Sequence, residues 1–222
     1  MEIIPFHSAR GCLSYLILDP RSGEAALVDP SEEVGEERYL SALAQKRAHV
    51  RYIIETHTHA DHVSAAPQMK KRTGAALVRH SNAPSPLKDI AVRGGERLAL
   101  GESFLEVIAT PGHTNESISI IAGDAVFTGD ALLIGGTGRT DFQQGDSEAL
   151  YTSLHETLGS LPEETIVYPA HDYHDRTAST IGDEKHSNPR FTLARDAFIK
   201  TMDAHHPPAP ELFEKSIATN TQ

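Results

Sequence analysis

The chain has 222 residues, 39% of them hydrophobic and 23% charged, enough to bury one large core or two small ones. Its formal net charge of -11 speaks against nucleic acid or an anionic membrane surface as partner, because both are approached through clustered Lys and Arg. One cysteine, Cys12, rules out an internal disulfide, and no apolar run approaches the ~20 residues that cross a bilayer.

In chain order, residues 13–18 and 25–28 read as two strands joined by the turn Asp19-Pro20-Arg21-Ser22-Gly23, a hairpin signal. Cys12 borders the first of these runs and is expected to be a buried structural thiol. Residues 36–49 carry Leu40, Leu43 and Ala44 on one helical stripe, and a strand over 50–55 follows. The pattern then predicts a helix over 63–72 stopped at Gly74, a strand over 75–78 and a Pro-rich loop at Ala83-Pro84-Ser85-Pro86. Strands are expected at 98–100, 104–109, 118–122 and 125–127, a helix at 146–158, a strand at 166–168, and helices near 177–181 and 192–204. Strand-helix-strand order followed by a run of strands implies a layered α/β fold with two stacked sheets. There is no internal repeat, and the tail after Pro207 is too short to be a domain, so residues 1–222 are expected to form a single domain. The amino terminus carries neither a basic-then-apolar leader nor an Arg- and Ser-rich amphipathic one. A cytoplasmic location is therefore expected.

The chemistry concentrates in Thr56-His57-Thr58-His59-Ala60-Asp61-His62, directly after the predicted strand 50–55. Neutral imidazole and carboxylate are natural ligands of zinc and of non-haem iron, and a strand end holds them rigidly. Further ligand types recur where other apolar strands stop: His113 in Thr110-Pro111-Gly112-His113, Asp130 in Phe127-Thr128-Gly129-Asp130, and His171 in Tyr168-Pro169-Ala170-His171. Converging at one rim, these strand ends would form a polar pocket on rigid supports. The remaining histidines, among them His205 and His206 beside Pro207-Pro208, are expected at the surface or in local hydrogen bonds. Gly135-Gly136-Thr137-Gly138 lacks the helix and Lys of a phosphate loop and is read as a tight loop beside the site.

The ordered set His57-Thr58-His59-Ala60-Asp61-His62, Pro111-Gly112-His113-Thr114, Thr128-Gly129-Asp130 and Pro169-Ala170-His171 resembles the metallo-β-lactamase superfamily. That resemblance implies an αββα sandwich of two mixed β-sheets flanked by helices, with the metal at one edge. Gly129-Asp130-Ala131-Leu132-Leu133-Ile134, Gly138-Arg139-Thr140-Asp141-Phe142-Gln143-Gln144-Gly145 and Tyr168-Pro169-Ala170-His171-Asp172-Tyr173 look like the persulfide dioxygenase branch. What this narrower resemblance implies is an enzyme with one Fe(II) per chain, using O2 to oxidise glutathione persulfide to sulfite and glutathione. Carried over by residue, the iron ligands would be His57, His113 and Asp130, with His59, Asp61, His62 and His171 orienting them.

The same residues also match the two-zinc ligand set of the glyoxalase II thioesterases. There His57, His59, His113 and Asp130 would hold one Zn, and Asp61, His62, His171 and Asp130 the other. Arg139 and Tyr173 are candidates for contacting the glutathione part. Arg139 has the alternative of pairing with Asp141 or Asp146, and Tyr173 that of capping the pocket. As partners the reading expects glutathione persulfide and O2, no nucleic acid and no membrane, and leaves room for a homodimer and a functional link to a sulfurtransferase. A non-catalytic sulfur carrier would need an accessible thiol, which a buried Cys12 does not offer.

Overall fold

Apolar runs too continuous for a one-sided strand need burial on both faces, and the computed structural model, which describes residues 1–222, provides it. Strands β1 (Glu2–His7), β2 (Leu13–Leu18), β3 (Glu24–Val28), β4 (His49–Ile54), β5 (Ala76–His80) and β6 (Ile90–Val92) form one sheet in that order. The β1/β2 and β2/β3 pairs are antiparallel, and β3/β4, β4/β5 and β5/β6 are parallel. Strands β7 (Arg97–Leu100), β8 (Ser103–Ala109), β9 (Ile118–Ala122), β10 (Ala125–Gly129), β11 (Ile166–Pro169) and β12 (Ser179–Thr180) form the second, in the order β12-β11-β10-β9-β8-β7. Only β10/β11 is parallel there.

The period of two along each strand sorts side chains into three cores. Tyr15, Ile17, Ala26 and Ile54 of the first sheet meet Leu105, Val107, Ile120 and Phe127 of the second. The opposite face of the first sheet, with Leu16, Leu27 and Ile53, packs on Tyr39 and Leu43 of helix α1 (Glu36–Lys46) and Met69 of α2 (Ala66–Thr73). Val126 and Val167 of the second sheet pack outward on Leu150 of α3 (Ser147–Thr152), Ile181 of α4 (Ile181–Ser187) and Phe198 of α5 (Arg195–Asp203). The result is the αββα sandwich expected from the sequence. No helix is long and apolar enough to cross a membrane.

Several elements depart from the expectations. The helix expected near 177–181 is the short strand β12 followed by α4, because Thr180 accepts a bond from the Asp183 amide and so caps a helix that only begins at Ile181. The helix over 146–158 is α-helical only to Thr152, continues as a π-helical turn at Ser153–Thr157, and closes as a 3-10 turn at Leu158–Ser160. A last helix, α6 (Phe213–Asn220), was not read at all.

Candidate metal centre

Each residue type singled out from the sequence follows the carboxyl end of a strand. His57 comes three residues after β4, His113 follows β8, Asp130 follows β10 and His171 follows β11, and Asp29, which is not among the expected site residues, likewise follows β3. Strand polarity brings these ends to one rim, where the Ile118 amide at the start of β9 donates to the Thr56 carbonyl at 2.8 Å and joins the two sheets. Gly129 sits at φ +55, and a Cβ there would lie 2.6 Å from Thr56 Oγ1. Only glycine lets the Asp130 turn come this close to the histidine loop.

His57, His113 and Asp130 bring their ligand atoms within 4.8 Å of one another. His113 Nδ1 donates to the Arg139 carbonyl at 2.7 Å. The Thr56 hydroxyl donates to Asp29 Oδ2 at 2.8 Å, so its oxygen accepts from His57 Nδ1, 3.0 Å away. Both imidazoles are thereby held in the tautomer whose Nε2 lone pair is free for a cation. Burial, with His59 beside it, drives His57 well below the usual imidazole range, so its lone pair meets no competing proton. His113 Nε2 lies 3.6 Å from Asp130 Oδ2. Burial alone would raise the Asp130 carboxyl, but His171, and then His113 and His57, outweigh it and hold it below the usual carboxylate range. Two imidazoles and one ionised carboxylate, oriented from behind, fit a metal ion.

His171 stands behind this triad with both ring nitrogens engaged, Nδ1 with Asp130 Oδ1 at 2.6 Å and Nε2 with Asp61 Oδ2 at 2.7 Å. Burial works against its charge, but the two carboxylates raise its pKa well above the ordinary value. Asp61 also accepts from His62 Nδ1 at 3.1 Å and from the Cys12 thiol at 3.3 Å. Cys12, Asp61, His62 and His171 are thus a second set whose ligand atoms fall within 4.8 Å of one another. His59 lies between the two groups, its ring 4.2 Å from those of His57 and of His62. Its Nε2 is 3.1 Å from Asp29 Oδ1 without an aligned hydrogen bond, and burial, with His62 beside it, brings it down to about 3.

Several contributors escaped the sequence reading. Asn220 of α6 donates from Nδ2 to the carbonyls of His59 and His62 at 2.8 and 2.9 Å, and accepts the Ser64 amide at 3.0 Å. Nothing in a polar carboxy-terminal stretch signals that clasp. Glu116 accepts the Thr58 amide at 2.7 Å and fixes the loop from the other sheet. The Thr56 and Asp29 pair was the more legible, since Asp29 also ends an apolar strand.

The triad opens into a cavity of about 420 Å³ lined by Asp61, His113, Asp130, Arg139, Tyr173 and the strap His205, Pro207, Pro208 and Pro210. Arg139 gives its Nε to Asp141 Oδ1 at 2.5 Å, its Nη2 to Asp141 Oδ2 at 2.6 Å and to the Pro207 carbonyl at 2.7 Å, and its Nη1 to the Pro208 carbonyl at 2.9 Å. Its guanidinium lies 3.9 Å over the Phe142 ring, which packs on Phe213 of α6. The alternative of a pairing with Asp141 is realised, and one Nη1 hydrogen is left without a partner. Tyr173 is 71% exposed and stacks against His171 at 6.3 Å. Gly138 borders the same cavity, as expected for a loop beside the site.

Residues 7–171 match the metallo-beta-lactamase superfamily. The mitochondrial persulfide dioxygenase ETHE1 of Bos taurus is 37% identical over 209 residues, covering 93% of this chain and 82% of that protein. The chain belongs to the metallo-β-lactamase superfamily, in its persulfide dioxygenase family. The crystal structure of ETHE1 from Myxococcus xanthus superimposes with a TM-score of 0.96 at 39% identity, covering 100% of this chain and 98% of that one. A hydroxyacylglutathione hydrolase of a Polaromonas strain is 34% identical over 207 residues, covering 87% of this chain and 73% of that protein. Family membership accounts for the double sheet, the order of the ligand-bearing strand ends and the reach of the match across both sheets.

Proposed function

We propose that residues 1–222 form one metallo-β-lactamase-fold domain that acts as a persulfide dioxygenase, oxidising glutathione persulfide with O2 and water to sulfite and glutathione at one Fe(II). The observation that carries this reading is the 37% identity to a persulfide dioxygenase over 93% of the chain, together with the convergence of the ligand atoms of His57, His113 and Asp130 within 4.8 Å of one another. His171 stands behind them, its nitrogens 2.6 Å from Asp130 and 2.7 Å from Asp61. Iron(II) held there would supply electron transfer between the persulfide sulfur and dioxygen. His57 and His113 present their Nε2 atoms because Thr56 and the Arg139 carbonyl hold their Nδ1 protons. Asp130 turns Oδ2 to the same point because His171 occupies Oδ1. The cavity gives the thiol portion a space of about 420 Å³, and Tyr173 and the unused Arg139 Nη1 hydrogen are the substrate contacts of this reading. It includes a cytoplasmic setting and leaves room for a homodimer and for supply of persulfide by a sulfurtransferase.

A zinc thioesterase is the second reading, favoured by the Cys12, Asp61, His62 and His171 grouping and by the unpartnered nitrogens of His59. Elemental analysis of anaerobically purified protein, followed by oxygen uptake on adding glutathione persulfide, separates the two. About one iron per chain with rapid uptake and sulfite release supports the dioxygenase. Two zincs per chain, no oxygen uptake and hydrolysis of lactoylglutathione would overturn it.

A further inference from the structure

The cavity is acidic at its inner end, where Asp61 and Asp130 face it, and the whole chain carries a formal charge of -11. An anionic thiol derivative entering such a site needs a donor at the mouth to decide which end goes in first. Most donors along the wall are spent inside the protein. Arg139 gives four of its five N–H groups to Asp141 and the strap carbonyls, His171 gives both to carboxylates, and Gln143 gives its amide to the Thr58 carbonyl at 2.6 Å. Besides the last Arg139 hydrogen, two donors remain: the Tyr173 hydroxyl, whose ring stacks against His171, and His205 on the strap. His205 borders the cavity, is exposed, and its imidazole makes no hydrogen bond or ion pair with the rest of the protein.

We propose that His205 is the specificity-determining group that receives a backbone carboxylate of the persulfide substrate, an inference that rests on the dioxygenase reading above. The surroundings pre-set it for that task. Its amide donates to the Met202 carbonyl at 3.0 Å at the end of α5. Two residues on, Pro207 and Pro208 have fixed φ angles, and Arg139 grips both of their carbonyls. The strap backbone is thus fixed before an anion binds, and only the His205 side chain has freedom left to lose. His113 and Asp130 line the same cavity as the strap, so a ligand held by its carboxylate at His205 has its other end free to reach the triad. The substrate class this selects is a persulfide built on an amino acid or short peptide with a free carboxylate, in preference to inorganic persulfide or an uncharged alkyl persulfide.

The test is steady-state oxygen uptake by the iron-loaded full chain with two substrates, glutathione persulfide and the persulfide of glutathione diethyl ester. Wild-type protein is expected to show the lower KM for the free acid. His205→Ala should raise that KM about ten-fold, the scale of losing a hydrogen bond to a charged group, while changing the diester KM by less than about two-fold. His205→Gln, which keeps an N–H donor, should recover most of the loss. Equal KM changes for acid and diester, or no change for the acid, would overturn the assignment of His205 while leaving the dioxygenase reading intact. Absence of oxygen uptake by wild type with either substrate would sink that reading and this one together.

Discussion

The Nδ1 of His57 lies 3.0 Å from the Thr56 hydroxyl, whose own proton is committed to Asp29. A buried carboxylate therefore sets the tautomer of a candidate metal ligand through a single intervening oxygen. Thr56→Val, which keeps the shape and removes the hydroxyl, should lower metal affinity by about 10- to 100-fold, as loss of a ligand's orienting partner does. Thr56→Ser should stay close to wild type. Competition for Fe(II) against a calibrated chelator measures both, and equal affinity in the valine variant would show that the ring is oriented without this relay.

Removing a ligand outright should have a larger effect than loosening one. His113→Ala and Asp130→Ala are each expected to retain less than about a tenth of the wild-type iron after gel filtration, since two ligands rarely hold a divalent ion against water. Elemental analysis of the folded variants reads this directly, and full iron occupancy in either would take that residue out of the ligand set.

The Arg139 and Asp141 pair gives a pH dependence whose sign follows from its direction. Hydrogen bonds from Arg139 pull the Asp141 carboxyl down to about 2, below its ordinary value near 3.8. A depressed carboxylate stabilises the fold above its unfolded pKa and loses that contribution as pH falls through the folded value. Asp141→Asn should thus melt below wild type at pH 5 to 7, with the gap closing between about pH 4 and 2. Far-UV circular dichroism is the right probe because the chain has no tryptophan. A gap unchanged down to pH 2 would mean that the variant acts through packing alone. Arg139→Ala frees the same strap, so its KM for glutathione persulfide should rise more than its kcat falls.

Asn220 offers a test far from the chemistry in sequence. Asn220→Ala leaves the His59 and His62 carbonyls and the Ser64 amide buried without partners. Destabilisation of about 2 kcal/mol is expected from denaturant titration, with weaker iron retention because the loop that carries His57 loosens. Unchanged stability would imply that water enters and satisfies these groups.

The clustering of the candidate ligands was legible because imidazoles and carboxylates recur where apolar strands stop, and that pattern needs no knowledge of side-chain orientation. The double sheet was legible from runs such as 13–18, where every residue is buried. What escaped was set by partners distant in sequence. Pro5 disguises β1, which the sheet accepts because it is an edge strand. Thr180 caps a helix, a signal outweighed in the sequence by the residues before it. The polar surface of α6 gives no hint that its last residue closes over the histidine loop, and His205, expected in a solvated turn, borders the cavity only because Arg139 folds the strap back.

His57 belongs to a loop of the first sheet, whereas His113 and Asp130 belong to loops of the second. An ion bound by all three would fasten the halves of the sandwich together like a rivet, and its binding energy would add to the free energy of folding. Cells short of that metal would then hold a looser population of this chain, exposed to proteolysis in proportion to its empty fraction. Its abundance, as well as its turnover, would follow the metal supply.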